Sequence, residues 1–507
     1  MKKKILNLSQ LKKQTDFQKK NGKKIVLCHG VFDLLHIGHI KHFKKAKSLG
    51  NILVVTLTSD KFVNKGPNKP TFNEKLRAES LASLEIIDYV CINDFKTSIN
   101  ILKKIRPNIY CKGADYKTFK NDITGEIKNE IKIVKKFKGK VIFTDEITFS
   151  SSNLINKYSQ TLNNNQKNII EKIKKKYNFL KIKRYIDNFK KLKVLVIGET
   201  IIDQYVFCEA LGKSGKEPVL VLRDLKTEEY LGGAAALAEN ISNFTKNVSL
   251  LTMLGEKKEY LNFIKRKLSK NTNFQYICKK GSPTILKRRF LDDINKNKVL
   301  GVYNLNDQIL DLYQEKKLLN KVKNIIKKFD LVIVSDYGHG FITKKVADLI
   351  CKKSKYLALN AQVNAANIGH HSMRNYKNID CVIINATELR HEMRNKDSKI
   401  ETLMKSLSEK LNISHLIVTR GSQGSILFNK NIKKYFYSDA YAKTVVDKIG
   451  SGDTMLSLVS LSLRHGLNSD VSLLLSSLGA AQSVETIGNK HSLNKHKVLR
   501  HLENILK

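Results

Sequence analysis

A chain of 507 residues is too long for a single hydrophobic core, which stops growing near roughly 250–300 residues, so about two or three domains are expected. With 41% hydrophobic and 27% charged residues the balance is that of a globular protein, and no run approaches the roughly 20 apolar residues of a bilayer span, which argues against wholesale disorder and membrane insertion. The formal charge of +46 is spread along the whole chain and is mostly lysine, so it reads as compositional bias and disfavours a dedicated nucleic-acid surface.

The start, Met1-Lys2-Lys3-Lys4-Ile5-Leu6, is basic, but Asn7, Ser9 and Gln10 interrupt any apolar stretch. No secretory leader is expected, and the chain is assigned to the cytoplasm. The seven cysteines, at 28, 91, 111, 208, 278, 351 and 381, are odd in number and never spaced C-x-x-C. That pattern predicts buried, reduced thiols rather than a disulfide framework or a zinc site.

Along the chain, Ile25–Cys28 and Ile52–Leu57 are short apolar runs suited to buried parallel strands, with a helical stretch between them. Directly after the first run comes Gly30-Val31-Phe32-Asp33-Leu34-Leu35-His36-Ile37-Gly38-His39. A glycine ends the strand, a helix starts near Gly38, and two imidazoles sit where free N–H groups and the helix dipole favour an anion. His36 and His39 there can donate hydrogen bonds to a nucleotide α-phosphate as charge builds on it, with Gly38 allowing close approach.

This string resembles the G-x-F-D-x-x-H-x-G-H motif of the cytidylyltransferase-like nucleotidyltransferases. Lys65-Gly66 with Pro70 is similar to that family's lysine loop, and Arg77-Ala78-Glu79-Ser80-Leu81 leading to Val90 to its R-x-x-x-L helix and strand. Lys112-Gly113-Ala114-Asp115-Tyr116 resembles K-G-x-D-Y, and Ser150-Ser151-Ser152-Asn153-Leu154-Ile155 resembles the S-T-x-x-I helix start. The resemblance implies a Rossmann-like nucleotidyltransferase domain over residues 1–157. His36 and His39 would stabilise the transition state, and Gly30, Phe32, Asp33, Gly38, Lys65, Arg77, Lys112, Asp115, Ser151 and Ser152 would lie along a nucleotide, ATP or alternatively CTP, with Mg²⁺ on its triphosphate.

Residues 158–190 open on a polar, turn-rich stretch and continue as a lysine-rich segment with Ile169, Ile170, Ile173 and Tyr177 at helical spacing, read as a linker and connecting helix. Beyond it, Val194–Ile197, Leu331–Val334, Val382–Ile384 and Leu416–Val418 are strand-like runs separated by amphipathic helices, predicting a larger α/β domain over 191–507. Near its end stands Asp447-Lys448-Ile449-Gly450-Ser451-Gly452-Asp453-Thr454, followed by an apolar helix. Small residues at a helix start let successive N–H groups converge on a phosphoryl group, while a neighbouring carboxylate takes a proton from an attacking hydroxyl.

The wider pattern resembles the ribokinase-like (PfkB) sugar kinases, especially the kinase half of the bifunctional enzymes that make ADP-activated heptose. Gly198-Glu199-Thr200-Ile201-Ile202-Asp203-Gln204-Tyr205 is similar to their opening G-D-x-x-x-D-x-Y, with Glu199 where Asp is usual. Lys216-Glu217-Pro218-Val219, Gly232-Gly233-Ala234-Ala235, Pro283-Thr284-Ile285-Leu286-Lys287-Arg288-Arg289, Asn385-Ala386-Thr387-Glu388 and Thr419-Arg420-Gly421 with Gly424 follow in family order.

By this resemblance the fold is an α/β/α sandwich with a small β lid around 203–230, through which a homodimer could pair. Asp453 would be the catalytic base, Gly450, Ser451 and Gly452 the anion hole, and Arg420 and Gly421 neighbours of ATP. Asp203, Gly232, Gly233, Asn240, Lys287 and Arg289 would meet the sugar or sugar phosphate, and Asn385 and Glu388 would act on Mg²⁺ through water. Ala236 replaces an expected Asn, Asn360-Ala361-Gln362 replaces an expected Asp-Pro-Lys, and the nucleotidyltransferase precedes the kinase, the reverse of the familiar order. A kinase forming a sugar phosphate and a nucleotidyltransferase consuming one make successive steps toward an activated sugar. The rivals are a cytidylyltransferase for a polyol or amino-alcohol phosphate fused to an unrelated kinase, and a nucleotide- or nucleic-acid-binding protein without chemistry.

Overall fold

The computed structural model describes residues 4–63, 70–113, 126–144, 162–362, 371–442 and 444–506. The chain divides into two compact units, Met1–Asn164 with Leu499–Lys507, and Asn165–Val498. The helix Phe179–Asn188 and nearly all of Asn164–Lys174, within the stretch expected as a linker, fall in the second unit.

The first unit is built on strands β1 (Ile25–Gly30), β2 (Ile52–Thr58), β3 (Tyr89–Asn93), β4 (Ile109–Lys112) and β5 (Lys140–Phe143), all parallel in the order β3-β2-β1-β4-β5. Both faces are covered, which is why the strands read as continuous apolar runs. Along β1, Val26 and Cys28 join one cluster with Phe43 and Ala46, while Ile25 and Leu27 join another with Leu11 and Tyr110, following the two-residue period of a strand. The helices are α1 (Leu8–Lys20), α2 (Ile37–Ser48), α3 (Glu74–Ala82), α4 (Ile99–Ile105) and α5 (Ile127–Lys136). Asn7 begins α1 with a capping box to Gln10, and His36 caps α2.

In the second unit the strands are, in chain order, β6 (Val194–Gly198), β7 (Thr200–Lys213), β8 (Leu220–Gly232), β9 (Val248–Gly255), β10 (Thr272–Lys279), β11 (Ile285–Asp292), β12 (Lys298–Asn304), β13 (Leu331–Asp336), β14 (Leu357–Ala361), β15 (Ile379–Asn385), β16 (Ile413–Thr419), β17 (Ser425–Asn429) and β18 (Lys434–Ser438). Nine form one sheet, β10-β9-β6-β13-β14-β15-β16-β17-β18, parallel except at the β17–β18 edge. The other four, β12-β11-β7-β8, form a separate lid sheet, broader than the small lid expected around 203–230 because β11 pairs alongside β7 and β12 alongside β11. The helix Ser451–Arg464 packs on the middle of the large sheet, against β13, β14 and β15, with residues 454–462 wholly buried. Asp203 sits inside strand β7, paired with Tyr230, rather than in a turn.

Candidate functional site

In the first unit the end of β1 turns sharply. Phe32 adopts φ 47°, a left-handed conformation unusual for a bulky residue, and its ring folds back over Gly30, where a Cβ would lie 2.9 Å from it. That turn brings the Phe32 ring edge-on to His39, with centroids 5.5 Å apart. His36, at the N-cap of α2, accepts from the Gly38 N–H at 3.1 Å through Nδ1, so a neutral ring carries its proton on Nε2. The His36 and His39 rings lie 4.0 Å apart, both half-buried at the same helix start.

Around this pair the other expected residues support the loop. Asp33 is buried and accepts from the Thr71 and Phe72 N–H groups at 2.8 and 3.0 Å, tying the loop after β1 to the one before α3. The Arg77 guanidinium is buried and donates to the Phe72, Val31 and Thr58 carbonyls and to Asp60. Lys112 is buried beside Glu130, 3.1 Å away, with its ammonium over the Tyr110 ring. Lys65, Asp115, Ser151 and Ser152 lie outside the described residues.

In the second unit the expected motifs gather along the C-terminal edge of the parallel strands, where ligands bind in open α/β sheets. Gly450 begins the helix Ser451–Arg464 with φ 81°, and a Cβ there would lie 2.0 Å from Asn489 Oδ1. Over Gly452 there is open space. Asp453, in the first turn, accepts from the Tyr337 hydroxyl, whose oxygen is 3.1 and 3.2 Å from its two carboxylate oxygens. Burial pushes Asp453 up to about 7; the Tyr337 hydrogen bond opposes this, the Asp203 charge adds to it, and the Lys287 charge opposes it.

Facing it from the lid are Asp203 and Arg289, paired at 2.5 Å. Gly232 makes room for that carboxylate, since a Cβ would sit 2.3 Å from Asp203 Oδ2. Gly233 has φ 57°, and a Cβ there would strike the Glu199 carbonyl at 2.3 Å. Lys287 is buried over the Tyr303 and Tyr337 rings, and burial pulls its ammonium below the ordinary lysine range. Lys287 and Arg289 therefore both turn inward.

Other expected residues are engaged by protein. Asn240 accepts from Leu493 N–H at 2.8 Å and donates to Thr454 at 3.4 Å, bracing the residue after Asp453. Asn385 and Glu388 form a reciprocal capping box at the helix Ala386–Met393, with bonds of 2.8 and 2.7 Å. Arg420 closes its loop by donating to the Gln423 carbonyl, while space is open over Gly421. Asn360 donates to the Ile383 carbonyl. Ser451 Oγ donates back to Lys448 at 2.8 Å, so the hydroxyl shapes the loop.

Several residues escaped the sequence reading. Tyr337 is one. So did the role of Asp447, the first residue of the glycine run: burial alone would raise its carboxyl, but Lys298 and Tyr205 outweigh this and hold it below the usual carboxylate range. Lys298 belongs to lid strand β12, so this ion pair joins the lid to the glycine loop. Glu199 is fully buried and pushed up to about 8 by burial and the nearby Asp336, while accepting from the Tyr337 and His339 N–H groups. All seven cysteines are free thiols, but Cys278, on β10, and Cys351, near the end of the helix Lys344–Lys353, are only half-buried.

Sheet, lid and glycine-bounded helix start together define the class of small-molecule kinases built on the ribokinase-like fold. The chain belongs to the pfkB family of carbohydrate kinases, whose family model matches residues 191–496. Ahead of that unit, residues 27–159 match the cytidylyltransferase-like family. The bifunctional protein HldE of Campylobacter jejuni (strain RM1221) is 28% identical over 302 residues, 59% of this chain and 62% of that protein. The bifunctional protein HldE of Campylobacter fetus subsp. fetus (strain 82-40) is 39% identical over 156 residues, 30% of this chain and 31% of that protein. The chain thus spans less than two thirds of the length of these curated relatives. The crystal structure of Escherichia coli phosphofructokinase-2 in complex with potassium, 11% identical, superposes with a TM-score of 0.50 over 62% of this chain and 99% of that one, a likeness of fold.

Proposed function

We propose that the chain carries out two successive reactions toward a nucleotide-activated sugar. In the second unit a hydroxyl of a sugar phosphate of the heptose type attacks the γ-phosphorus of ATP. Asp453 takes the hydroxyl proton, ADP leaves, and the N–H groups at Gly450–Gly452 meet the phosphoryl oxygens. In the first unit a sugar 1-phosphate oxygen attacks the α-phosphorus of ATP and pyrophosphate leaves, with His36 and His39 donating to the charge that builds there. Likeness to the bifunctional HldE proteins supports the pairing of activities. The observation that carries the kinase reading is the Asp453 carboxylate at a glycine-opened helix start, gripped by Tyr337 and facing the Asp203–Arg289 pair.

Asn385 and Glu388 offer only hard oxygen donors, which suit Mg²⁺, and their mutual capping bonds favour contact through water rather than direct ligation. Mg²⁺ held there with the nucleotide would offset charge on the phosphate oxygens. The free thiols fit a reducing compartment, the cytoplasm. Exposed Leu220, Leu225, Leu300 and Val302 on the lid favour a homodimer through that sheet. No helix among the described residues is long and apolar enough to cross a membrane.

Two assays test this reading: ADP formation from ATP with a panel of sugar phosphates, and pyrophosphate release with ATP or CTP and a sugar 1-phosphate. Turnover with a heptose phosphate and preference for ATP are expected. CTP preference with a polyol phosphate would replace the nucleotide assignment, and absence of turnover in both assays would refute the catalytic reading.

A further inference from the structure

Cys28 on β1 and Cys111 on β4 are direct register partners in the parallel pair, and both belong to the cluster under α2. Their sulfurs lie within 4.8 Å of each other. His42, in the second turn of α2, brings a ring nitrogen to the same point, so the three potential ligand atoms all lie within 4.8 Å of one another. Behind the ring, Thr144 Oγ1 is 3.0 Å from His42 Nδ1 and 3.4 Å from the Lys112 carbonyl. A hydroxyl that donates to that carbonyl accepts from Nδ1–H, which leaves the imidazole lone pair on Nε2. Orientation of a ligating histidine by such an outer hydrogen bond is the usual support of a metal site.

We propose that Cys28, His42 and Cys111 form a binding site for a zinc-class divalent ion that fastens α2 to the two central strands. Two sulfurs and an imidazole are the donor set that selects zinc over magnesium or calcium. Bonds of about 2.3 Å to sulfur and about 2.1 Å to nitrogen place tetrahedral ligand atoms about 3.5–3.8 Å apart, which modest side-chain rotation reaches from the observed cluster. Binding releases one proton from each thiol, and two thiolates then cancel the charge of the ion, as a buried site requires. Lys112, whose charge acts on Cys28 and His42, is paired with Glu130, and the charge of Lys45 acts on Cys111, favouring its thiolate. His42 is half-buried, which gives the ion a path inward and leaves the fourth position to a ligand from solvent. His36 caps α2 and His39 lies in its first turn, so the ion would steady the helix that presents them.

Cobalt alone, added to the reduced, chelator-treated full chain, tests the site. One equivalent is expected to give a thiolate-to-cobalt charge-transfer band with tetrahedral ligand-field absorption, bleached by zinc. Both signals should vanish in Cys28→Ser/Cys111→Ser and weaken in His42→Asn. Because a core variant can misfold, X-ray absorption of the wild-type zinc form supplies a second readout, with two sulfur neighbours at about 2.3 Å expected. A wild-type shell of nitrogen and oxygen only, no band at one equivalent, or a band that survives the double cysteine substitution would overturn the proposal.

Discussion

The Tyr337 hydroxyl lies 3.1 and 3.2 Å from the two oxygens of Asp453, so one donor spans both edges of the carboxylate. The bond favours the ionised form against the burial that disfavours it. Replacement by Phe removes the donor without changing the ring packing. A hydrogen bond to a charged group contributes about 1.5 kcal/mol, which corresponds to about one pKa unit. In Tyr337→Phe the acidic limb of the kinase kcat/KM profile is expected to move up by about one unit from its wild-type position near 7. An unchanged limb in an active, folded variant would show that Tyr337 does not hold the base.

Asp453→Asn keeps the shape of the side chain and removes its basicity. Kinase turnover should fall by about 10²–10⁴-fold, the contribution of a positioned general base. Pyrophosphate release from the first unit should persist, because its histidines belong to a separate compact unit. In His39→Asn the pattern should reverse, with pyrophosphate release lost and ADP formation kept. Assaying both reactions on both variants separates the two sites, and parallel loss of both activities in either variant would contradict their independence.

Much of this layout was legible in the sequence, and what was not has a physical cause. The Gly30–His39 string and the Gly450–Asp453 run are contiguous, so their spacing alone placed imidazoles and a carboxylate at helix starts. Tyr337 meets Asp453 across 116 positions of sequence, and Cys28 meets Cys111 only through strand register, relationships that local spacing does not encode. Arg77 illustrates a different limit. Its place in a motif suggested a nucleotide contact, but folding directs its guanidinium to three backbone carbonyls and Asp60.

That network makes Arg77 a test of how the first unit holds its loops. Arg77→Ala removes a charged donor from the Val31, Phe72 and Thr58 carbonyls, and a hydrogen bond to a charged group contributes about 1.5–3 kcal/mol. The unfolding transition of the first unit is expected to lose at least about 3 kcal/mol in urea, with the second unit's transition unmoved. A loss under about 1 kcal/mol would mean that water replaces the guanidinium freely.

Asp453 also links stability to pH. Its folded-state pKa, raised by burial to about 7, means that the folded unit holds a proton that the unfolded chain releases near the ordinary Asp value of about 4. The stability this proton confers is complete below about pH 4 and fades as pH rises through 7. Glu199, pushed up to about 8 by burial and by Asp336, acts in the same direction one unit higher. Asn at position 453 resembles the protonated acid and has no proton to lose. Asp453→Asn should therefore melt at the wild-type temperature near pH 4 and several degrees above it at pH 8, because about three pKa units correspond to about 4 kcal/mol. Thermal melts of the two proteins across pH 4–8 measure the difference directly. A constant offset between the curves would mean that Asp453 titrates as an ordinary surface carboxylate and that the buried proton lies elsewhere.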